Sequence, residues 1–172
     1  MNLLKSNINL FEEILSLVKD AKEDLTIFSP YIKLKAISKL LDGIHKKINV
    51  TIITSWKPVD IAFGSSDLSI YPSCKKNNFR LLINNKIHLK TIIIDNMSRA
   101  YIGSANITEP GLGYSQRHNY EIGSIESRIY IDDQIYFDKI IESSSTISDD
   151  DYTSIIEEAK KLKKPKIDQN FS

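Results

Sequence analysis

His88 and Lys90 stand two residues apart and are followed by Asp95 and then by Gly103, Ser104 and Asn106. An imidazole can attack phosphorus or pass a proton, an ammonium supplies a point charge with three donors, and a carboxamide supplies two more. Brought together, these groups suit a bound phosphate with a nucleophile or proton donor beside it. Six residue types fixed at set positions arise by chance on the order of 10⁻⁶ at ordinary frequencies.

The elements that carry these groups follow from the local pattern. Residues 87–94 are rich in β-branched types, 99–103 form a second apolar run, and the polar 95–98 stretch reads as a hairpin connection. Folding that hairpin about Met97 places Lys90 opposite Ser104 and His88 opposite Asn106, with partners about 5 Å apart on one face. Gly103 and Ser104 then leave room for a bulky anion. Asp95 has the other parity and lies about 16 Å from Lys90 along an extended strand. A structural role is expected for it, pairing with Arg99 or bonding the turn amides.

These residues resemble the signature of the phospholipase D superfamily, which orders the same six types as H-x-K-x4-D-x6-G-S-x-N. The resemblance is closest to the family's single-motif prokaryotic nucleases, because the chain is short and holds one copy. Asn119-Tyr120-Glu121 also looks like the family's N-x-E element. By resemblance His88 is the nucleophile, Lys90 and Asn106 bind phosphate, and Glu121 is the carboxylate that holds the histidine. The resemblance covers roughly residues 25–141 and is sharp over 88–121. It implies an α/β fold with a mixed β-sheet flanked by helices on both faces.

Composition narrows the rest. The chain has 172 residues, 41% hydrophobic and 26% charged, as expected of one globular domain with a full core. A net charge of +1 excludes a broadly basic protein. Nucleic-acid affinity must therefore come from a local patch, which Lys75, Lys76, Arg80, Lys86 and Lys90 offer. Cys74 is the only cysteine, so no intrachain disulfide or cysteine-based metal cluster forms, and a reducing, cytoplasmic setting is expected. Charges interrupt every apolar stretch of residues 1–25, which argues against a signal peptide or membrane span.

In chain order, apolar periodicity predicts helices over 10–22, 34–46 and 132–143, and strands over 25–28, 48–54, 79–83 and 120–125. Strand, helix, strand over 25–54 implies a parallel right-handed crossover. Tyr31, in the Ser29-Pro30-Tyr31 loop, has two open readings: lining the pocket or packing on the next helix. The 107–118 stretch reads as a loop that either covers the site, with Arg117 on phosphate, or is an ordinary connection. Trp56 reads as core, and 59–74 as weakly patterned. The catalytic domain is expected over 1–144. Residues 145–172 are expected to be a Ser/Thr-rich linker and a peripheral helix from Asp149, with a basic end at Lys160, Lys161, Lys163 and Lys164 running to Lys166. That end either is solvated or reaches toward a polyanion.

The combined expectation is a phosphodiesterase needing no metal or other cofactor, a nuclease acting on DNA ahead of RNA. One imidazole cannot be nucleophile and leaving-group acid at once, so a homodimer with a shared site is expected. A separate recognition subunit remains open. Two rivals are a lipid phosphodiesterase and a catalytically silent nucleic-acid-binding or dimerisation module.

Overall fold

The fold is a mixed eight-stranded sheet with helices on both faces, as the resemblance implied, in a computed structural model that describes residues 2–162. The expected basic end at Lys163, Lys164 and Lys166 lies outside the described residues. The elements are β1 (Leu4–Lys5), α1 (Leu10–Asp20), β2 (Asp24–Phe28), α2 (Leu34–Leu41), β3 (Asn49–Thr54), α3 (Pro58–Ala62), α4 (Ile70–Asn77) and β4 (Arg80–Ile83). They continue with β5 (Lys90–Ile94), β6 (Arg99–Gly103), α5 (Glu109–Leu112), β7 (Ile122–Glu126), α6 (Ile131–Glu142), β8 (Ser145–Thr146) and α7 (Asp149–Lys161). Strand order is β1-β7-β6-β5-β2-β3-β4-β8. β2, β3 and β4 run parallel, joined by the expected crossover, and every other pairing is antiparallel.

Period-two alternation divides the core between the two faces. Leu25, Ile27, Ile52, Ile92 and Tyr101 pack under α1 and α2 through Leu10, Ile14, Leu17, Ile37 and Leu40. Phe28, Ile53, Leu82, Ile93 and Ala100 meet Phe137 of α6 on the opposite face. Trp56 is 1% exposed, a core residue.

Several elements differ from expectation for local reasons. α2 stops at Leu41 because Gly43 turns left-handed, at φ 82°, so His45, Lys46 and Lys47 sit on a loop. α4 forms despite Pro72, burying Ile70, Tyr71 and Cys74 on one side. The 107–118 stretch contains α5, capped by the Thr108 side chain, which accepts from Gly111 N at 3.0 Å. The serine-rich stretch read as a linker supplies β8, which pairs with β4. After it, Ser148 and Asp151 form a capping box at the start of α7.

The motif hairpin also needs correction. The count from Asp95 to Gly103 spans seven residues, 96–102, one more than the signature allows. A four-residue turn absorbs the extra residue: Asp95, Asn96 and Met97 are all left-handed, at φ 50°, 53° and 59°, and Ser98 N donates to Ile94 O at 3.0 Å. The turn therefore centres between Asn96 and Met97 rather than on Met97. Lys90 pairs with Gly103, not Ser104, and His88 precedes the paired segment.

Candidate active site

Lys90 is the first residue of β5, Gly103 the last of β6, and Gly123 lies beside Gly103 on β7, so the three form a row at one end of the sheet. Glu121 directly precedes β7, and Asn106 follows β6 by three residues. The loop after β2 reaches the same end, where Ile32 bridges to Ile107 and Lys33 N donates to Ile107 O at 2.9 Å. His88 is exposed, whereas Lys90, Asn106 and Glu121 are half-buried.

Lys90 Nζ lies 2.8 Å from His88 Nδ1 and donates to the His88 carbonyl at 2.8 Å. Burial pulls the Lys90 pKa below its ordinary value, and the charge of Glu121 opposes that shift. The Glu121 carboxylate accepts from the Ser104 hydroxyl and from Asn119 Nδ2, the latter at 3.2 Å, so its bonds run to these two residues and not to His88. The Glu121 backbone is held by Ser6, whose hydroxyl accepts from Glu121 N at 2.5 Å. Asn106 Oδ1 lies 3.4 Å from the hydroxyl of Ser29, a fully buried serine. That hydroxyl also accepts from Ile107 N at 3.1 Å.

The space freed at Gly103 is occupied from within. The Tyr101 ring lies against Gly103 and Gly123, and a methyl group at Gly103 would collide with the Tyr101 hydroxyl and stand 2.6 Å from the Ile122 carbonyl. Gly103 therefore makes room for Tyr101 rather than for an anion. The hydroxyl of Tyr101 is buried without a hydrogen-bonding partner. Burial pushes its pKa up to about 12, with the Glu121 charge adding to the rise and the nearby Ala105 amide opposing it.

The sequence matches the family described as "cardiolipin synthase, PLD-like domain" over residues 14–136, well beyond half the chain. The chain belongs to the phospholipase D-like family. No curated protein matches it in sequence. Among solved structures, Nuc of Salmonella typhimurium, a phospholipase D family member, shares 15% identity at a TM-score of 0.66, over 85% of this chain and 97% of that one. NucT of Helicobacter pylori shares 16% identity at a TM-score of 0.58, over 85% and 98%. The phosphatidylserine synthase of Haemophilus influenzae shares 14% identity at a TM-score of 0.66, over 92% of this chain but 42% of its own. At these identities the likeness is one of fold.

Within this phospholipase D-like domain the remaining motif residues lie apart. Asp95 sits at the far end of the hairpin, where its Oδ1 accepts from the amides of Lys22 and Glu23, both at 2.8 Å. Its expected partner Arg99 pairs with Asp20 instead, at 3.0 Å. Burial raises the Asp95 pKa, but the amides of Glu23, Lys22 and Asp24 outweigh it and hold the carboxyl below its usual range. Tyr31 is half-buried on the loop beside Asn106, its carbonyl accepting from Ser29 Oγ at 2.8 Å. Arg117 is exposed on the chain leading to β7. Ser29 and Ser6 support the candidate site of this phospholipase D-like domain and carry no sequence signal, since they meet their partners across 77 and 115 residues respectively.

Proposed function

We propose that the chain is a metal-independent phosphodiesterase, a nuclease that works through a phosphohistidine at a site shared by two copies. The observation that carries this reading is the 2.8 Å contact between Lys90 Nζ and His88 Nδ1. A charged ammonium has no lone pair, so Nδ1 accepts and a neutral ring carries its proton on Nε2. In that state His88 is a proton donor at Nε2. An arriving phosphodiester offers Lys90 a charge-assisted bond and draws the ammonium away from the ring. The exposed ring then exchanges its Nε2 proton for one on Nδ1 through water, Glu121 turns from Ser104 and Asn119 to accept the Nδ1–H bond, and Nε2 holds the lone pair that attacks phosphorus.

As the N–P bond forms, the P–O bond to the leaving alcohol breaks, and a second imidazole protonates that oxygen. Water then attacks phosphorus, passes a proton to the same second imidazole and frees His88. Lys90 and Asn106 offset the charge gathering on the phosphoryl oxygens. Among the described residues no three His, Cys, Asp or Glu side chains converge as a metal site would need.

The second imidazole is assigned to the partner's His88, because an isologous pair repeats each residue across its axis. His45 borders a hollow with Asp95 and Arg99, at the other end of the hairpin. His118 has its Nδ1 3.2 Å from the Asn119 carbonyl. Ile102 and Ile122, 43% and 49% exposed, share one face of β6 and β7 beside the site and offer apolar surface for a second copy.

Support for a nuclease over a lipid enzyme comes from size: Nuc and NucT are spanned almost end to end, whereas the phosphatidylserine synthase is spanned over 42% of its length. The test is hydrolysis in EDTA of single-stranded DNA, duplex DNA, RNA and phospholipid vesicles. Polynucleotide cleavage is expected; turnover of phospholipid alone, or activity that requires added magnesium, defeats the reading.

A further inference from the structure

Tyr120 is 99% exposed, yet it sits between Asn119 and Glu121, two residues bonded to each other at the site. Its ring stands edge-on to the His118 imidazole, with centroids 6.0 Å apart at 85°. His118 in turn walls a groove of about 800 Å³ between the start of α1 and the segment after α5. The groove and the site share a wall, since Ser6 exchanges hydrogen bonds with the Glu121 backbone and Asn7 follows Ser6 into the groove.

The groove chemistry is that of a site for a neutral, polar, flat group. Asn7, Asn9 and Gln116 bring carboxamides that can both donate and accept, and His118 adds an imidazole. One ammonium, Lys39, is matched by one carboxylate, Glu12. Lys39 is further engaged over the Tyr114 ring at 4.7 Å. A phosphate gains little from such a balance, whereas a nucleobase edge finds donors and acceptors and its face finds an aromatic ring.

We propose that Tyr120 and this groove seat an unpaired nucleobase next to the scissile phosphate, which makes single-stranded nucleic acid the substrate class. The inference rests on the phosphodiesterase reading for the word substrate, and on the groove and Tyr120 for the base. A free aromatic face stacks on any base that is not already stacked within a duplex, so the preference is for single strands without sequence selectivity.

The test separates the two readings by measuring binding without cleavage. A fluorescent 12-nucleotide thymidine strand and an abasic strand of the same length are titrated against His88→Ala, His88→Ala/Tyr120→Ala and His88→Ala/Tyr120→Phe proteins. Thymidine-strand affinity is expected to fall about tenfold with Tyr120→Ala and to return with Tyr120→Phe, while the abasic strand binds all three alike. Equal losses on both strands, or no loss on either, overturn the base site. So does sedimentation showing that Tyr120→Ala splits a dimer, because the ring is then an interface anchor. Base-dependent binding by a wild-type protein that hydrolyses no polynucleotide keeps the base site and removes the nuclease; cleavage without base dependence does the reverse.

Discussion

The two ends of the β5–β6 hairpin are built on opposite principles. At the turn end, Asp95 is saturated by the Lys22 and Glu23 amides, Asn96 N donates to Asp24 Oδ2 at 3.0 Å, and Ser98 closes back on Ile94. At the open end, His88 is exposed, and the Lys90 ammonium and the Ser104 hydroxyl divide their bonds between backbone groups and the side chains of His88 and Glu121. Backbone amides cannot change partner without unfolding, whereas an ammonium on a four-carbon stem can. One end thus sets the register, and the other keeps side chains free to rearrange around the phosphate proposed to bind there.

The largest expected effect tests that division directly. His88→Ala should lower kcat by a factor on the order of 10⁴ or more while leaving the Tm unchanged, since the ring is exposed and its contact is with the Lys90 side chain rather than the core. A Tm fall of several degrees would show that the open end carries structure as well. Next, the proposed shared site leaves the open end incomplete in a single chain. An equal mixture of wild-type and His88→Ala chains, equilibrated to exchange subunits, should retain about a quarter of wild-type activity rather than half, because only pairs of intact chains work. Half the activity would put the second acid within one chain, with His118 the first residue to replace.

Gly103→Ala reaches beneath the site. The added methyl meets the Tyr101 hydroxyl and the Ile122 carbonyl, and overpacking of this kind costs about 1–3 kcal/mol. A thermal melt should drop by several degrees, at about 2–4 °C per kcal/mol for a chain of this size. An unchanged melt would mean that Tyr101 does not fill that space.

Smallest is the turn end. Asp95→Asn tolerates the left-handed backbone but loses the charge on two amide bonds, so Tm should fall slightly while kcat stays at the wild-type value. The pH dependence has a fixed sign: a carboxyl depressed on folding stabilises fully above its unfolded pKa of about 3.9 and loses that contribution as pH falls through the lower folded value. The gap between wild type and Asp95→Asn should therefore be constant at neutral pH and shrink below about pH 4. Lost activity with an unchanged melt would reverse the roles assigned to the two ends.

Much of the fold was legible because long periodic segments announce themselves: Leu10, Ile14, Leu17 and Val18 mark α1 without ambiguity, and the β-branched run before Asp95 marks β5. β1 and β8, of two residues each, and the four-residue α5 were not, since they are too short to show a period and are held by tertiary pairing. α4 was hidden by Pro72 and by the polar Lys75-Lys76-Asn77 end. At the site, His88, Lys90 and Asn106 stood out as candidates because their types are chemically rare in combination, and Glu121 entered through the resemblance alone. Ser29, Ser6 and the Tyr101–Gly103–Gly123 packing could not, because serines and glycines are common and their meaning comes from strands that meet only after folding.

β1 is two residues long, and through the adjoining Ser6 it also grips the backbone of Glu121. So short a strand opens at a small fraction of the free energy needed to melt the whole sheet. Each opening releases Glu121 while the core stays folded. Warming should therefore silence the protein reversibly before it denatures, and amide hydrogens of Ser6 and its neighbours should exchange with solvent ahead of those in β2 and β5.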